Sequence, residues 1–368
     1  MNILYVTALP GLISAGPSWS VPASISAQSK LDNCLWVNMT DKHLDHWSNV
    51  SCYHNIKDFG SKFDLSILPY PFNHPDLVVF EDFYEIQPPL IAIKLRKAGI
   101  PYIIVPRGAL TYKAQNNQSK WKKKIANLFL FKNYVKKALA VQFLTKNEKN
   151  DTGNSWNDSS FILPNGFNIP KVKKEHFSNG CINATFIGRL DVFHKGIDIL
   201  IQACAELAHE LRDANFKLSI YGPENADYAV IKSMIDNYSV AEIITLKGEV
   251  SGHRKEEVLL NSDIFFLTSR FEGHPMGLVE ALAYGIPALV TPGTNMSEEI
   301  ANADAGWVCH NVSKDAIKLQ LKNMLNEQFK LSMKGRNAAE MAKDYDWNSL
   351  AIKFHKKAES LLTKTRIL

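Results

Sequence analysis

Short, unbroken apolar runs alternate with amphipathic stretches along the first half of the chain. Five runs have the length and continuity of buried strands: 2–9, 35–39, 76–80, 101–105 and 140–144. Three intervening stretches are predicted as helices: 18–31, 86–98 and 119–139. Continuous apolar strands separated by helices indicate a parallel sheet that is covered on both faces.

The alternation breaks at 161–180, where prolines, glycines and asparagines concentrate, and then resumes. Six further runs are predicted as strands: 181–188, 216–222, 242–248, 263–269, 287–291 and 306–310. We therefore predict an α/β protein with two tandem, Rossmann-like, doubly wound domains that face a cleft, because ligands of such sheets bind beyond the carboxyl ends of the strands. The domains are predicted at 1–165 and 166–346, and an amphipathic helix at about 347–368 is expected to return to the first domain.

Composition fits this architecture. The chain has 368 residues, of which 46% are hydrophobic and 21% charged, with a formal net charge of +5. No apolar stretch approaches the roughly 18 residues that a spanning helix needs. The start lacks the basic region of a secretory signal, and the five cysteines are scattered without CxxC spacing. We therefore expect a cytoplasmic protein with reduced thiols.

The stretch EGHPMGLVEALAYGIP (272–287) carries the most specific chemistry. It follows a predicted strand and should begin a helix near Pro275, whose first amides, from Met276 to Leu278, would form a phosphate site. Glu280, one turn into the helix, could accept hydrogen bonds from both hydroxyls of a ribose. Glu272, on the preceding loop, could accept from hydroxyls of a sugar beyond the phosphate. The alternative is that these glutamates are solvated residues near a helix start.

Two other segments add charge and backbone donors. In FIGRLDVFHKGIDILIQA (186–203), Arg189 and Lys195 lie beside a predicted strand end and could neutralise a diphosphate, although isolated cations are often only surface charge. The loop LPGLISAGPSWSVPA (9–23) follows the first strand, so Gly16 and Ser18 could face the same diphosphate from the other domain. An ordinary strand-to-helix loop is the alternative.

Together these segments resemble the retaining glycosyltransferases of family 4, which have the GT-B fold, over nearly the whole chain. AGPSWSVPA resembles the glycine loop of the family, VPRGAL a motif of a bacterial polysaccharide branch, PNGF the linker, and GRLDVFHKGID the basic motif. EGHPMGLVEALAYGIP resembles the E-x7-E motif, which is the most specific of the set.

The resemblance implies site residues. Glu272, Arg189 and Lys195 are expected to be catalytic. Donor-binding residues are expected at Gly16, Glu280, His274, Met276, Gly277, Leu278 and Arg107. Arg107 lies where many relatives carry a histidine, so its contact could be with the donor or with an anionic acceptor. No metal is expected, because the only Asp-x-Asp motif, Asp344 to Asp346, follows no strand end.

The implied reaction is transfer, with retention, of a sugar from a nucleotide diphosphate sugar to a hydroxyl of a glycan or lipid-linked glycan. The donor would be a UDP-sugar or GDP-sugar, with no other cofactor, and the pathway would be bacterial capsule or O-antigen synthesis. A nucleotide-sugar epimerase of the same fold is an alternative. A Rossmann oxidoreductase is disfavoured by the missing GxGxxG, and a non-catalytic binding role by the presence of the charged pair. No nucleic-acid partner is expected.

Residues 113–137 contain eight lysines and no acidic residue. Trp121, Ile125, Leu128 and Phe129 recur there at helical spacing. We expect this apolar stripe to pack in the core of the first domain and the lysines to form a basic face. Because lysines near a bilayer are attracted to anionic lipid, we expect peripheral contact with the inner face of the cell membrane.

Overall fold

The computed structural model describes residues 1–12, 16–60, 63–116, 120–178, 180–224 and 226–367. The chain divides into two compact units. Unit 1 comprises Met1–Gly166 and Trp347–Leu368, and unit 2 comprises Phe167–Asp346. The first division lies one residue after the boundary inferred from the sequence.

In the described part of unit 1, parallel strands form one sheet in the order β3-β2-β1-β4-β5-β6-β7. The strands are β1 (Asn2–Thr7), β2 (Asn33–Asn38), β3 (Tyr53–Asn55), β4 (Leu77–Glu81), β5 (Tyr102–Val105), β6 (Ala140–Phe143) and β7 (Ser160–Ile162). The α-helices are α1 (Pro17–Gln28), α2 (Gln87–Lys97), α3 (Tyr112–Asn116), α4 (Lys120–Ala126), α5 (Lys132–Lys136) and α6 (Lys146–Thr152). A π-helical segment, Asn127–Phe131, joins α4 to α5, and 3-10 turns lie at Asp45–Asn49, Ile56–Phe59 and Leu65–Ile67.

In the described part of unit 2, a second parallel sheet has the order β10-β9-β8-β11-β12-β13. The strands are β8 (Ile182–Ile187), β9 (Phe216–Tyr221), β10 (Ile244–Lys247), β11 (Ile264–Leu267), β12 (Ala288–Val290) and β13 (Gly306–Val308). The α-helices are α7 (Ile197–Glu206), α8 (Ala208–Asp213), α9 (Ala226–Asn237), α10 (Gly252–Leu260), α11 (Met276–Ala283), α12 (Ser297–Asn302), α13 (Lys314–Asn326) and α14 (Leu331–Ala342). Single 3-10 turns lie at Pro292–Thr294, Gln328–Lys330 and Lys343–Tyr345.

The last helix, α15 (Trp347–Ile367), belongs to unit 1 and packs against α1. Its apolar face, including Trp347, Leu350 and Phe354, completes one of the two core layers of that unit. The other layer lies on the opposite face of the sheet, where it includes side chains of α2 and α5. The expected return of the C-terminal helix is confirmed.

Both sheets reverse their strand order at one point, between β1 and β4 in unit 1 and between β8 and β11 in unit 2. At such a switch point the loops that follow two neighbouring strands diverge to opposite faces and leave room for a ligand. The doubly wound fold class is confirmed.

The sequence prediction missed β3 and β7. Each of these strands has three residues and lies at an edge of the first sheet, so it carries little periodic signal.

Strand β9 alternates buried residues with the exposed Lys217 and the half-buried Ser219 and Tyr221, and Thr245 of β10 is exposed. One local expectation was wrong. The stripe from Trp121 to Phe129 does not pack in the core, because its four apolar side chains are 59–78% exposed. The same helical stretch instead packs through Phe131, Tyr134 and its neighbours. Among the described helices, none is long and apolar enough to cross a bilayer.

Candidate active site

The two loops at the switch point of unit 2 bring a cation and a carboxylate together. Lys195, on the loop after β8, places its Nζ 2.5 Å from Oε1 of Glu272, on the loop after β11. Ser269 also donates to Oε1 of Glu272, at 2.6 Å. The second carboxylate oxygen accepts no hydrogen bond from a described residue, and the ammonium of Lys195 keeps two donors that this contact does not use. Both side chains therefore retain capacity for a ligand.

The position of Lys195 is fixed by its neighbours. Thr268 donates through Oγ1 to the carbonyl of Lys195 at 3.3 Å. Gly196 has a φ of +63°, and a Cβ there would lie 2.2 Å from the carbonyl oxygen of Thr268, so only glycine fits this close approach. Arg270 holds both carboxylate oxygens of Asp198 at 2.7 Å, which ties the β11 loop to the first turn of α7.

Helix α11 begins directly beside this pair. No described residue accepts a hydrogen bond from the backbone amides of Met276 or Gly277, so these amides and the helix dipole are available to an anion. The amide of Leu278, in contrast, donates to the carbonyl of Pro275 at 3.0 Å. The expectation that Leu278 offers a free amide was wrong, because the carbonyl of the N-cap residue accepts it.

Gly277 has a packing role in the folded unit. A Cβ at this position would lie 3.2 Å from the carbonyl oxygen of Ile187, at the end of β8. The absence of a side chain lets the first turn of α11 approach the end of β8 closely. This contact holds the free amides beside the loop that carries Lys195.

His274, between Glu272 and the helix start, is unusual in its surroundings. Both ring nitrogens are buried, and neither has a hydrogen-bond partner among the described residues. Burial lowers the pKa of His274 to about 4. The ring lies 5.7 Å from that of Tyr345, measured between centroids. His274 is therefore a neutral imidazole at neutral pH, with two unused polar atoms next to the anion site.

Glu280, in the second turn of α11, is paired with Lys255 of α10 through Oε2. Its other oxygen accepts no hydrogen bond from a described residue. Sequence reasoning missed Lys255, because nothing in the local pattern of α10 distinguishes it from other surface lysines. It also missed Ser269 and Arg270, although Ser269 ends a predicted strand and Arg270 directly follows it, which is a usable signal.

Arg189 lies two residues after β8 and is exposed. Its guanidinium lies within 4 Å of no carboxylate in the described ranges. Arg189 is therefore a cation near the end of β8 that forms no ion pair with a described residue.

Among the described residues, no group of three or more His, Cys, Asp or Glu side chains is placed to hold a metal ion.

Unit 1 has its own polar cluster at the carboxyl edge of its sheet. Arg107, after β5, donates to Glu81 at 2.9 Å, and its Nη1 lies within 3.3 Å of Ser20 and Asn165. Arg107 has a φ of 48°. Gly16 is the N-cap of α1, with a helical φ of −51°, and residues 13–15 of its loop lie outside the described residues. No described atom lies within 4 Å of a Cβ built on Gly16, so packing does not require glycine there.

Asp82, next to Glu81 in the chain, is a further residue that sequence reasoning missed. It directly follows β4 at the switch point of unit 1 and has a φ of 101°, which is costly for any residue except glycine. Burial raises the pKa of its carboxyl to about 6, although the charge of Arg107 opposes the shift. An acidic pair immediately after a buried strand, Glu81-Asp82, is the sequence signal that could have identified it.

Comparison with known proteins identifies the unit that carries Lys195 and Glu272. Residues 170–342 match the family described as "Glycosyl transferases group 1". Residues 170–342, slightly less than half of the chain, are therefore similar to the group 1 glycosyl transferases. The family resemblance inferred from the motifs is confirmed, and the match covers nearly all of unit 2.

The similar proteins agree with this assignment. The chain is 26% identical over 133 residues to the putative colanic acid biosynthesis glycosyltransferase WcaL of Salmonella typhimurium, which is 34% of this chain and 32% of that protein. It is 28% identical over 166 residues to a Campylobacter jejuni N,N'-diacetylbacillosaminyl-diphospho-undecaprenol alpha-1,3-N-acetylgalactosaminyltransferase, which is 45% of this chain and 41% of that one. The matches thus span about a third to two fifths of these curated relatives.

The fold of the whole chain is shared with solved glycosyl transferase structures. Anabaena HepE, in complex with UDP, aligns with a TM-score of 0.72 at 14% identity, covering 98% of this chain and all of that one. At this identity the likeness concerns the fold, which is GT-B.

Proposed function

We propose that this group 1 protein is a retaining glycosyltransferase that moves a sugar from a nucleotide diphosphate sugar to a hydroxyl of a glycan or lipid-linked glycan. The observation that carries the proposal is the Lys195–Glu272 pair at the switch point of unit 2, beside the free amides that begin α11. A cation and N-terminal amides suit a diphosphate, and a carboxylate with an unused oxygen suits a sugar hydroxyl.

The donor is assigned to these residues in order along its length. Lys195, Arg189 and the amides of Met276 and Gly277 contact the diphosphate. Glu280 accepts from the ribose hydroxyls, and Lys255 holds its second oxygen. Glu272 accepts from the transferred sugar and stabilises positive charge at its anomeric carbon.

The reaction breaks the bond between the anomeric carbon and the diphosphate oxygen and forms a bond from the same carbon to the acceptor oxygen on the same face. A diphosphate oxygen takes the proton of the acceptor hydroxyl. Lys195, Arg189 and the α11 dipole stabilise the negative charge that develops on the leaving group. This set of charges needs no divalent metal and no cofactor beyond the UDP-sugar or GDP-sugar donor.

The acceptor is assigned to unit 1, where Asp82 lies at the sheet switch point and Arg107 follows the neighbouring strand, β5. The names of the relatives support a role in bacterial surface polysaccharide synthesis, such as capsule or O-antigen, because they specify colanic acid and a diphospho-undecaprenol acceptor. We place the enzyme in the cytoplasm, peripheral to the inner face of the membrane, where a lipid-linked acceptor is available.

A panel of UDP-sugars and GDP-sugars, assayed for nucleotide release, tests the proposal. Release should require an acceptor, here a lipid-linked glycan extract or purified glycan, and the product should keep the anomeric configuration of the donor by NMR. Inversion would contradict the retaining assignment. Turnover of a donor without any acceptor would instead indicate an epimerase or hydrolase. Failure of every donor to bind, measured by calorimetry, would reject the site itself.

A further inference from the structure

Unit 1 carries an unusual surface on the helical stretch from Lys120 to Lys136. We define the basic apolar surface by its exposed apolar side chains, Trp121, Ile125, Leu128 and Phe129, and by its exposed lysines, Lys120, Lys122, Lys124, Lys132 and Lys136. The apolar residues recur at intervals of three and four, so they lie on one side of the helix.

The opposite side of the stretch anchors it. Phe131, Tyr134 and Val135 are buried in the unit 1 core. Lys123, which faces inward, donates to the carbonyl of Ala114 at 2.7 Å. The apolar side chains are therefore held outward by a packed helix, and they cannot turn into the core without removing the residues that already fill it.

Charge limits what this surface can bind. Residues 113–137 carry eight lysines and no acidic residue. The surface is both basic and apolar. An acidic polar face of a protein would match only its charge, and a neutral apolar groove would match only its apolar side chains. An anionic bilayer surface offers negative headgroups directly above an apolar layer, so it matches both. The Lys124 Nζ lies 5.1 Å from the centre of the Trp121 ring, so a cation and an aromatic ring that favour the interface occur side by side.

We propose that the basic apolar surface docks on an anionic lipid bilayer and inserts Trp121, Ile125, Leu128 and Phe129 into its interface, while the lysines contact the headgroups. The surface lies in unit 1 and contains none of the residues assigned to the donor. The proposal rests on the peripheral membrane location given under the proposed function, and its test does not depend on the transfer reaction. Binding has two components, electrostatic attraction and burial of apolar area, and each can be removed separately.

The test uses the full-length protein and sonicated vesicles of phosphatidylcholine with or without about 30% phosphatidylglycerol, which is anionic. Binding should require the anionic lipid and fall as salt rises, without vanishing, because insertion is not screened. The triple variant K120E/K122E/K124E should lose about a hundredfold or more in binding, since each lysine is worth about fivefold near the surface. The variant L128S/F129S should lose about tenfold at constant charge.

Matched controls lie outside the basic apolar surface. Phe329 is 77% exposed, against 78% for Phe129, and Leu319 is 48% exposed, against 73% for Leu128, so L319S/F329S removes most of the same exposed apolar area elsewhere. The triple variant K232E/K247E/K356E makes the same change of net charge at exposed lysines outside the surface. Both control variants should bind vesicles within about twofold of the original protein. All variants should keep the original affinity for UDP or GDP, which shows that unit 2 is folded.

Three results would overturn the proposal. The first is equal binding to neutral and anionic vesicles. The second is full dissociation by salt together with no effect of L128S/F129S, which would leave only electrostatic adsorption. The third is absence of vesicle binding together with a concentration-dependent dimer that L128S/F129S abolishes, which would assign the surface to a second copy of the chain.

Discussion

Lys195 and Glu272 are 77 positions apart in the chain, yet Nζ of the lysine lies 2.5 Å from Oε1 of the glutamate. Their side chains are only 17% and 12% exposed. Removal of one partner therefore leaves a largely buried charge without its counter-ion. The two residues assigned to the diphosphate and to the sugar are coupled before any donor binds, and their mutants cannot be read independently.

This coupling makes a double-mutant cycle informative. K195A should weaken UDP or GDP binding strongly, because it removes a cation and leaves Glu272 to repel the phosphates; the expected loss in transition-state stabilisation is about 2–4 kcal/mol. E272A should bind the bare nucleotide at least as tightly as the original protein and yet fail to transfer sugar. The double variant should recover part of the affinity lost in K195A. Calorimetry measures all four affinities, and strictly additive losses would contradict the coupling.

Glu280 should recognise the ribose hydroxyls. E280A should weaken the affinity for a nucleoside diphosphate by about 1–3 kcal/mol, because the hydroxyls lose a charged acceptor. The same variant should bind the 2',3'-dideoxy nucleoside diphosphate as well as the original protein does. K255A, which keeps the carboxylate but frees its orientation, should lose less than E280A. An equal effect of E280A on both nucleotides would reject the ribose assignment.

His274 should make the protein sensitive to acid. Its folded pKa of about 4 lies below the ordinary value near 6.5, so the unfolded chain takes up a proton first as pH falls. The free energy of unfolding should decrease from pH 6.5 downward and level off below pH 4, with a total loss of about 3 kcal/mol from this group. H274F should remove this part of the pH dependence. Urea unfolding at pH 7.5 and 4.5 compares the two proteins, and parallel losses would show that His274 does not contribute.

Asp82 should act in the opposite direction. Burial raises the pKa of its carboxyl to about 6, so its charge destabilises the folded state progressively from about pH 4 to pH 6 and fully above that. D82N should therefore unfold at higher urea concentration than the original protein at pH 8, by about 2–3 kcal/mol, and match it near pH 4. If Asp82 also contacts the acceptor, D82N should raise the KM for acceptor while nucleotide affinity is unchanged. A destabilised D82N at pH 8 would show that the carboxylate is favourably held.

Sugar transfer should survive chelation. The diphosphate charge is assigned to Lys195, Arg189 and the amides at the start of α11, so excess EDTA should leave the rate of nucleotide release nearly unchanged. R189A in EDTA should then be slower than the original enzyme in EDTA. Loss of activity that magnesium or manganese restores would mean that a metal supplies part of this charge.

Local pattern was sufficient to predict most of the architecture. The long apolar strands and the amphipathic helix α15 each carry their periodicity within a few residues, so the sequence indicated two doubly wound units and the return of the last helix. The E-x7-E motif also identified α11 and its start, because a strand end, a turn and a helix N-terminus follow one another within twenty residues. Edge strands of three residues, such as β3, are too short to show a period.

The contacts of the site depended on the tertiary structure. Neither the pairing of Lys195 with Glu272 nor that of Glu280 with Lys255 follows from spacing, because each joins loops or helices that only the sheet order brings together. The sequence also determined that Trp121 and Phe129 share a helix face, but periodicity does not say which face of a helix packs inward. Phe131 and Tyr134 fill the space against the sheet, and that competition for one buried side left the basic apolar surface exposed.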